Sequence, residues 1–464
     1  AHGPAERGLR AVTALSRSVS APPVRHVHLG LGNFFRAHQA WYTEHAGDAA
    51  EWGIAAFTGR SPDLATALAA QDGLFTLVTR AADGDRFELI RSVSRPHAAD
   101  DQAALLGYLA DPEVRLVSTT VTEAGYVRRA DGGLDVDRPE VAADVATLRR
   151  DPTALVRTAP AKLVAGLAAR GRAGVGGLTI VPCDNLPENG TAVARVVGDL
   201  AALVDPGLAT WIADHVSFVT TMVDRITPEP TAEDLATVEA QTGVRDRAPV
   251  VTEPFTEWVL SGRFTAGRPR WEDAGATFTD DIVPFEQRKL WLLNGAHSML
   301  AYAGSLRGHV TVADAMRDAT CRAWLEEWWD AASSHLTLPP ADIAAYRAAL
   351  TERFANPRMR HRLDQIAFDG SQKLPIRTLP TLRRELASGR IPPGATRPVA
   401  AWVCHLRGHG AAVTDARAAE VLPLATGPLP DAVRRVLEVL DPDLAGNDAL
   451  VAAVLAQARE LESS

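Results

Sequence analysis

Apolar residues along this chain recur with two different periods, and the change of period divides it. Between residues 24 and 223, short runs of strand length alternate with stretches of helical period. The strand-like runs are VRHVHL (24–29), GIAAFTG (53–59), LFTLVTR (74–80), FELIRSV (87–93), VRLVSTTVT (114–122), LTIVPCD (178–184) and HVSFVTTMV (215–223). Helical stretches such as DLATALAAQ (63–71) and QAALLGYLA (102–110) lie between them. This alternation predicts an α/β domain with a parallel, doubly wound sheet and a ligand at the carboxyl ends of its strands. Residues 1 to about 22 read as a surface helix or arm ending in the turn-forming APP. From Phe285 onward the pattern is helical, as in DATCRAWLEEWWDAASSHL (318–336), LPTLRRELASG (379–389) and ALVAAVLAQARELE (449–462). TFTDDIVP (277–284) is the expected crossing, so the reading is two domains, 1–280 and 281–464.

The first strand-like run enters a glycine turn at Gly30 and Gly32, followed by the helix-like FRAHQAWYTEHA. Strand, Gly-x-Gly, helix is the context in which a backbone loop approaches a pyrophosphate. Phe35 stands where a third glycine would complete the fingerprint, and a plain tight turn also satisfies the pattern. Polar residues collect where strands are expected to end: Glu123 in VTEAGY, Asp184 and Asn185 in PCDNLPENG, Asp224 and Arg225 in TMVDRITP. Taken singly, each is also explained as a turn former or helix cap.

Composition narrows the class. A net charge of −9 with no basic run interleaved with aromatics argues against a general nucleic-acid binder. No apolar run reaches bilayer length and no signal-peptide core is visible, so a soluble, cytoplasmic protein without a membrane partner is expected. The three cysteines, Cys183, Cys321 and Cys404, are far apart and form no CxxC pair, which predicts reduced thiols and no metal site.

The most chemically loaded stretch is KLWLLNGAHSML, residues 289–300. On an α-helix at about 100° per residue, Lys289 lies at about 0°, Glu286 near 60°, His297 near 80° and Asn294 near 140°. Four polar side chains then share one side. A lysine whose pKa burial lowers from about 10.4 towards about 7–8 is a competent general acid/base, and an Asn amide can donate to an oxygen that gains charge. The same spacing also suits a buried helix with a snorkelling Lys and a satisfied core His.

Several of these segments occur together in one known family. HLGLGNFFRAHQAWY, TVTEAGY, PCDNLPENG, MVDRITP, EPFTEWV, KLWLLNGAHS and FDGSQKLPIR resemble, in order, those of the polyol-specific long-chain dehydrogenases. That family includes mannitol 2-dehydrogenase, fructuronate (mannonate) and tagaturonate oxidoreductases, and arabinitol dehydrogenase. The resemblance implies a Rossmann-type N-terminal domain, a mainly helical C-terminal domain, a nicotinamide cofactor and no metal. It implies Lys289 as the general acid/base, Asn185 and Asn294 as donors to the developing alkoxide, and His297 as substrate orienter. Glu286 would lie on a proton path to solvent, and Glu123 on that path or beside the cofactor. Asp224 and Lys373 would touch substrate, and Gly30, Leu31, Gly32, Asn33 and Phe34 would hold the dinucleotide. The catalytic helix would open the second domain and face the strand ends of the first. A short-chain mechanism based on Tyr-x-x-x-Lys is not available, because none of the five tyrosines has a Lys four residues on.

Within the family, FDGSQKLPIR resembles the fructuronate reductase branch, which has a similar GSQKLPQR. The sugar-alcohol branch often has Arg where this chain has Gln365, and lacks the counterpart of Arg377. An Arg suits a carboxylate by paired hydrogen bonds, so Arg377, or its neighbour Lys373, is expected to hold a uronate carboxyl group. D-Fructuronate/D-mannonate is therefore the expected pair, with mannitol/fructose, tagaturonate or another polyol as alternatives and a non-catalytic nucleotide sensor as a distant one. NAD is expected from the family. Arg60, in AAFTGRSPD, stands where an NAD enzyme often has an acid, and leaves NADP open. The expected partner is a small sugar acid or polyol; a monomer and a small homo-oligomer fit equally.

Overall fold

The structure, a computed structural model, describes residues 13–463. The chain forms two compact units that divide between Ile282 and Val283.

The first unit is built on six parallel strands: β1 (Val24–Leu29), β2 (Gly53–Phe57), β3 (Val93–His97), β4 (Leu116–Thr119), β5 (Leu178–Pro182) and β6 (Val216–Phe218). Their spatial order is β3-β2-β1-β4-β5-β6. The order reverses between β1 and β4, which in open α/β sheets is where a ligand crevice opens. Both faces are buried, as helical crossovers require. Val27, Leu29, Phe57, Val117 and Ile180 pack with Leu105, Leu163, Val164, Val193 and Val197 of the helices Gln102–Ala110, Ala159–Ala173 and Asn189–Val204. On the opposite face Ile54, Ala56 and Val93 meet Phe35, Ala37 and Leu68.

Several predicted strands serve elsewhere. Phe75–Ala81 and Gly84–Ile90 form an antiparallel hairpin that joins Val250–Thr252 in a separate three-stranded sheet. The cause is local: Ala81 pairs with Gly84 across a two-residue turn, so these two strands run antiparallel to each other, and Val250–Thr252 pairs parallel with the first of them. HVSFVTTMV is interrupted at Val219. Its first half is β6, while Thr220–Asp224 pairs antiparallel with Glu257–Ser261 in a third sheet. FRAHQAWYTEHA is two short helices, Asn33–Ala37 and Gln39–Glu44, broken at His38 with φ −120° and ψ −89°. At the N-terminus the expected surface helix lies partly outside the described residues. From Thr13 the chain is extended, pairing Thr13–Ala14 with Val244–Arg245.

The second unit is helical throughout its named elements. Helix Pro393–Leu406 is buried all round from Gly394 to Leu406, the pattern of a central core helix. It packs against Ala319–Ser333 and Asp448–Glu462. No helix among the described residues is long and apolar enough to cross a membrane.

Candidate functional site

The glycine turn after β1 is pinned from both sides. The N–H groups of Gly30 and Leu31 both donate to Phe57 O, at 2.9 and 2.7 Å. Gly30 has φ +114°, and a Cβ there would lie 2.2 Å from Thr120 O, so this position must be glycine. Gly32 differs: its φ is −152°, and the nearest atom to an added Cβ is Gly30 O at 3.6 Å. Nothing in the fold demands a glycine there. Leu31 has its side chain in the core and its amide already committed, so it keeps no donor for a pyrophosphate. The Asn33 side chain is also engaged, donating to Glu229 (2.8 Å) and accepting from Arg36 (2.7 Å). Phe34 is half-buried and stacks on His38 with centroids 4.9 Å apart. Arg60 is exposed just beyond β2.

The polar strand ends separate into two groups. Glu123 is exposed on the turn Glu123–Tyr126 after β4, and Asn185 is exposed after β5, both at the carboxyl edge of the parallel sheet. Asp184 is buried beside Asn185 and accepts a 2.6 Å hydrogen bond from Tyr126, whose hydroxyl also meets Thr119 at 2.6 Å. Burial lifts the Asp184 carboxyl to about 6. Asp224 does not belong to that edge: it is buried at the end of the antiparallel strand Thr220–Asp224, opposite Glu257. Its neighbour Arg225 is structural, donating to Glu253 O (3.2 Å) and Ala37 O (2.5 Å).

In the second unit, Glu286 lies half-buried on the α-helix Val283–Arg288. From Lys289 to Gly295 the helix is π-helical, and after Ala296–Met299 it is π-helical again over Leu300–Gly304. The expected α-helical angles therefore need correction. A π-turn closes on the fifth residue along, so Lys289 and Asn294, at about 140° on an α-helix, come to successive turns of one face. Both are half-buried. The wide turn is held by two tryptophans that sequence reading did not single out. Trp328 and Trp329 of helix Ala319–Ser333 donate their indole N–H groups to Trp291 O (3.0 Å) and Leu292 O (2.8 Å). Their signal was the adjacent pair in EEWWD, which a periodicity count absorbs as core.

His297 is 8% exposed, and its Nε2 has no hydrogen-bond partner. Its ring lies 4.7 Å from Phe354 and edge-on to His361 at 4.8 Å. Burial, reinforced by His361, Arg353 and Arg377, holds its pKa well below the usual value, so the ring is neutral. Gly295 lets helix Gly370–Arg377 approach: a Cβ there would sit 2.5 Å from Trp328 and 3.0 Å from Arg377 O. Arg377 is thereby set beside the His297 turn and donates to Ser298 Oγ at 3.3 Å. Its Nε is buried without a partner, and burial lowers its pKa. Lys373, one turn earlier, donates to Ile366 O at 3.1 Å; burial and then Arg377 lower its pKa. Among the described residues one group carries metal-ligand types in proximity: His309, Asp318 and Cys321. There Asp318 already accepts from Arg307 (2.5 Å), His309 (2.9 Å) and the backbone of Thr320 (2.9 Å). Helix capping and an ion pair account for it.

The sequence matches the mannitol dehydrogenase Rossmann domain over residues 24–273 and the mannitol dehydrogenase C-terminal domain over residues 281–462. It is 39% identical to D-mannonate oxidoreductase of Escherichia coli over 398 residues, 83% of this chain and 80% of that one. It is 38% identical to D-arabinitol 4-dehydrogenase of Ralstonia nicotianae over 468 residues, 96% of this chain and 98% of that one. Among solved structures it resembles Pseudomonas fluorescens mannitol 2-dehydrogenase in ternary complex with NAD and D-mannitol. There the identity is 34%, the coverage 98% of this chain and 93% of that one, and the TM-score 0.75. The chain belongs to the mannitol dehydrogenase family of oxidoreductases.

Proposed function

We propose that this protein is a nicotinamide-dependent hexuronate reductase that interconverts D-fructuronate and D-mannonate, without a metal. The observation that carries the reading is Arg377, a half-buried guanidinium hydrogen-bonded to Ser298, whose buried Nε has no partner, beside a neutral His297. A buried guanidinium edge of this kind is stabilised by a carboxylate bound through paired, charge-assisted hydrogen bonds. A neutral polyol would leave it unmatched.

For the cofactor, the fit rests on Gly32, a glycine that the protein's own packing does not require and that leaves the loop open to close approach. NAD, which the Pseudomonas fluorescens structure holds, would accept the hydride, and its reduced form NADH would supply it. Arg60 is the residue that would admit NADP. The chain's own residues do the rest. Lys289 gives its ammonium proton to the oxygen as the ketone is reduced, and in its neutral form takes the hydroxyl proton in the reverse direction. Asn294, on the same face, donates its amide to that oxygen as negative charge develops. Asn185 is assigned the same role by the family resemblance. His297 Nε2 binds a substrate hydroxyl. Glu286, half-buried on the helix that leads into Lys289, passes the proton onward to solvent.

The test is loss of nicotinamide absorbance with D-fructuronate, D-tagaturonate and D-fructose, each with NADH and with NADPH. Fructuronate should be preferred, and Arg377→Ala should lower its kcat/KM by about 10- to 100-fold, the worth of a charge-assisted bond. Equal losses on fructuronate and fructose would return Arg377 to a structural role. Fructose preference would favour the second reading, a mannitol 2-dehydrogenase, which the likeness to the Pseudomonas fluorescens enzyme supports.

A further inference from the structure

Two histidines in β1 point away from the Val27 side of the sheet and take no part in the chemistry above. His26 and His28 are fully buried. His26 Nε2 lies 2.6 Å from Ser118 Oγ, and the same oxygen lies 2.7 Å from His28 Nδ1. His28 Nε2 then reaches Thr120 Oγ1 at 2.9 Å, and Thr120 Oγ1 donates to Gly30 O at 2.9 Å. The imidazole of His28 is also stacked on Phe35, centroids 3.7 Å apart.

Proton counting gives this chain one direction. A threonine hydroxyl has a single proton, and the Gly30 carbonyl can only accept, so the Thr120 proton goes there. Thr120 must therefore accept from His28, which puts the His28 proton on Nε2. The bare Nδ1 of His28 accepts from the Ser118 hydroxyl, and Ser118 in turn accepts from His26 Nε2–H. The chain ends at His26 Nδ1, a buried atom with no partner and, in this tautomer, no proton to lose.

We infer that His26, Ser118, His28 and Thr120 form a one-way hydrogen-bonded strut that sets the Gly30 carbonyl, and through it the glycine loop, in the geometry that receives the dinucleotide. The inference rests on the reading that this loop holds the nucleotide. The opposite side of the loop is tied by its own amides to Phe57 O. Thr120 is thus the counterpart tie on the β4 side. Without it, Gly30 is held at φ +114° from one side only. These four are positioning residues, not catalytic ones.

The experiment is calorimetric titration of the full chain with NADH and NADPH, together with steady-state kinetics. Thr120→Val keeps the shape and removes the hydroxyl. Its nucleotide Kd and KM should rise about tenfold, the loss of one buried hydrogen bond, while kcat at saturating nucleotide falls by less than about threefold on the same argument. Thr120→Ser should restore binding, and Ser118→Ala, two links away, should weaken it in the same direction. Long-range ¹⁵N–¹H spectra should show both histidines protonated at Nε2. Wild-type affinity in Thr120→Val, or a proton on His28 Nδ1, overturns the strut. Failure of the unmodified protein to bind either nucleotide overturns the loop assignment itself, and with it this inference.

Discussion

The buried histidines of β1 make the first unit less stable in acid. Burial drops the His26 pKa to about 3, whereas an unfolded histidine titrates near 6.5. Between those values the unfolded chain binds a proton that the folded chain refuses. This contribution is therefore complete above about pH 6.5 and is lost as pH falls towards 3. At pH 4 the loss from His26 alone comes to about 3 kcal/mol. Urea unfolding at pH 7, 5 and 4 should show this fall, and His26→Gln, which keeps a donor for Ser118, should flatten it. An unchanged slope would put the acid sensitivity elsewhere. The sequence displayed these histidines as one face of a strand. That they share Ser118 depends on β1 and β4 lying side by side in register.

At the scale of elements, the winding of residues 289–304 matters most. Lys289 and Asn294 are five apart, a poor spacing for an α-helix and the closing interval of a π-turn. The Trp328 and Trp329 indoles hold that turn, and Gly295 makes room for helix Gly370–Arg377 against it. Gly295→Ala should therefore displace Trp328 or the Arg377 carbonyl, costing about 1–3 kcal/mol as overpacking does. It should also cut turnover by moving Arg377. A thermal unfolding midpoint and uronate kcat/KM both at wild-type level would show that the close approach is not needed.

For the whole molecule, the division at Ile282/Val283 separates two kinds of residue. The glycine loop and its ties belong to the first unit, the lysine and its neighbours to the second. Loss of chemistry and loss of nucleotide binding should then be separable. Lys289→Ala should lower kcat by about 10²- to 10⁴-fold, the usual worth of a general acid/base, while calorimetry gives an NADH Kd within about twofold of wild type. A matching collapse of NADH affinity would mean that Lys289 serves binding, not proton transfer.

The parts legible in the sequence were those carried by local chemistry. Alternating strand and helix periods announced the parallel sheet, because helical crossovers bury both faces of its strands and favour short, mostly apolar runs. The glycine turn after β1 declared itself through residue type and spacing. Tertiary structure alone decided which strands pair. LFTLVTR and FELIRSV have the composition of sheet-core strands, yet a two-residue turn folds them onto each other, and a break at Val219 moves Asp224 to another sheet. It also decided that a run with α-helical periodicity winds as a π-helix, since the acceptable turn depends on indoles from a helix some 35 residues later in the chain. Leu31 and Asn33 are expected nucleotide contacts from their place in a motif. That the Leu31 amide bonds Phe57 and the Asn33 side chain bonds Glu229 and Arg36 was decided by the tertiary structure, since only the folded chain brings these partners within hydrogen-bonding distance.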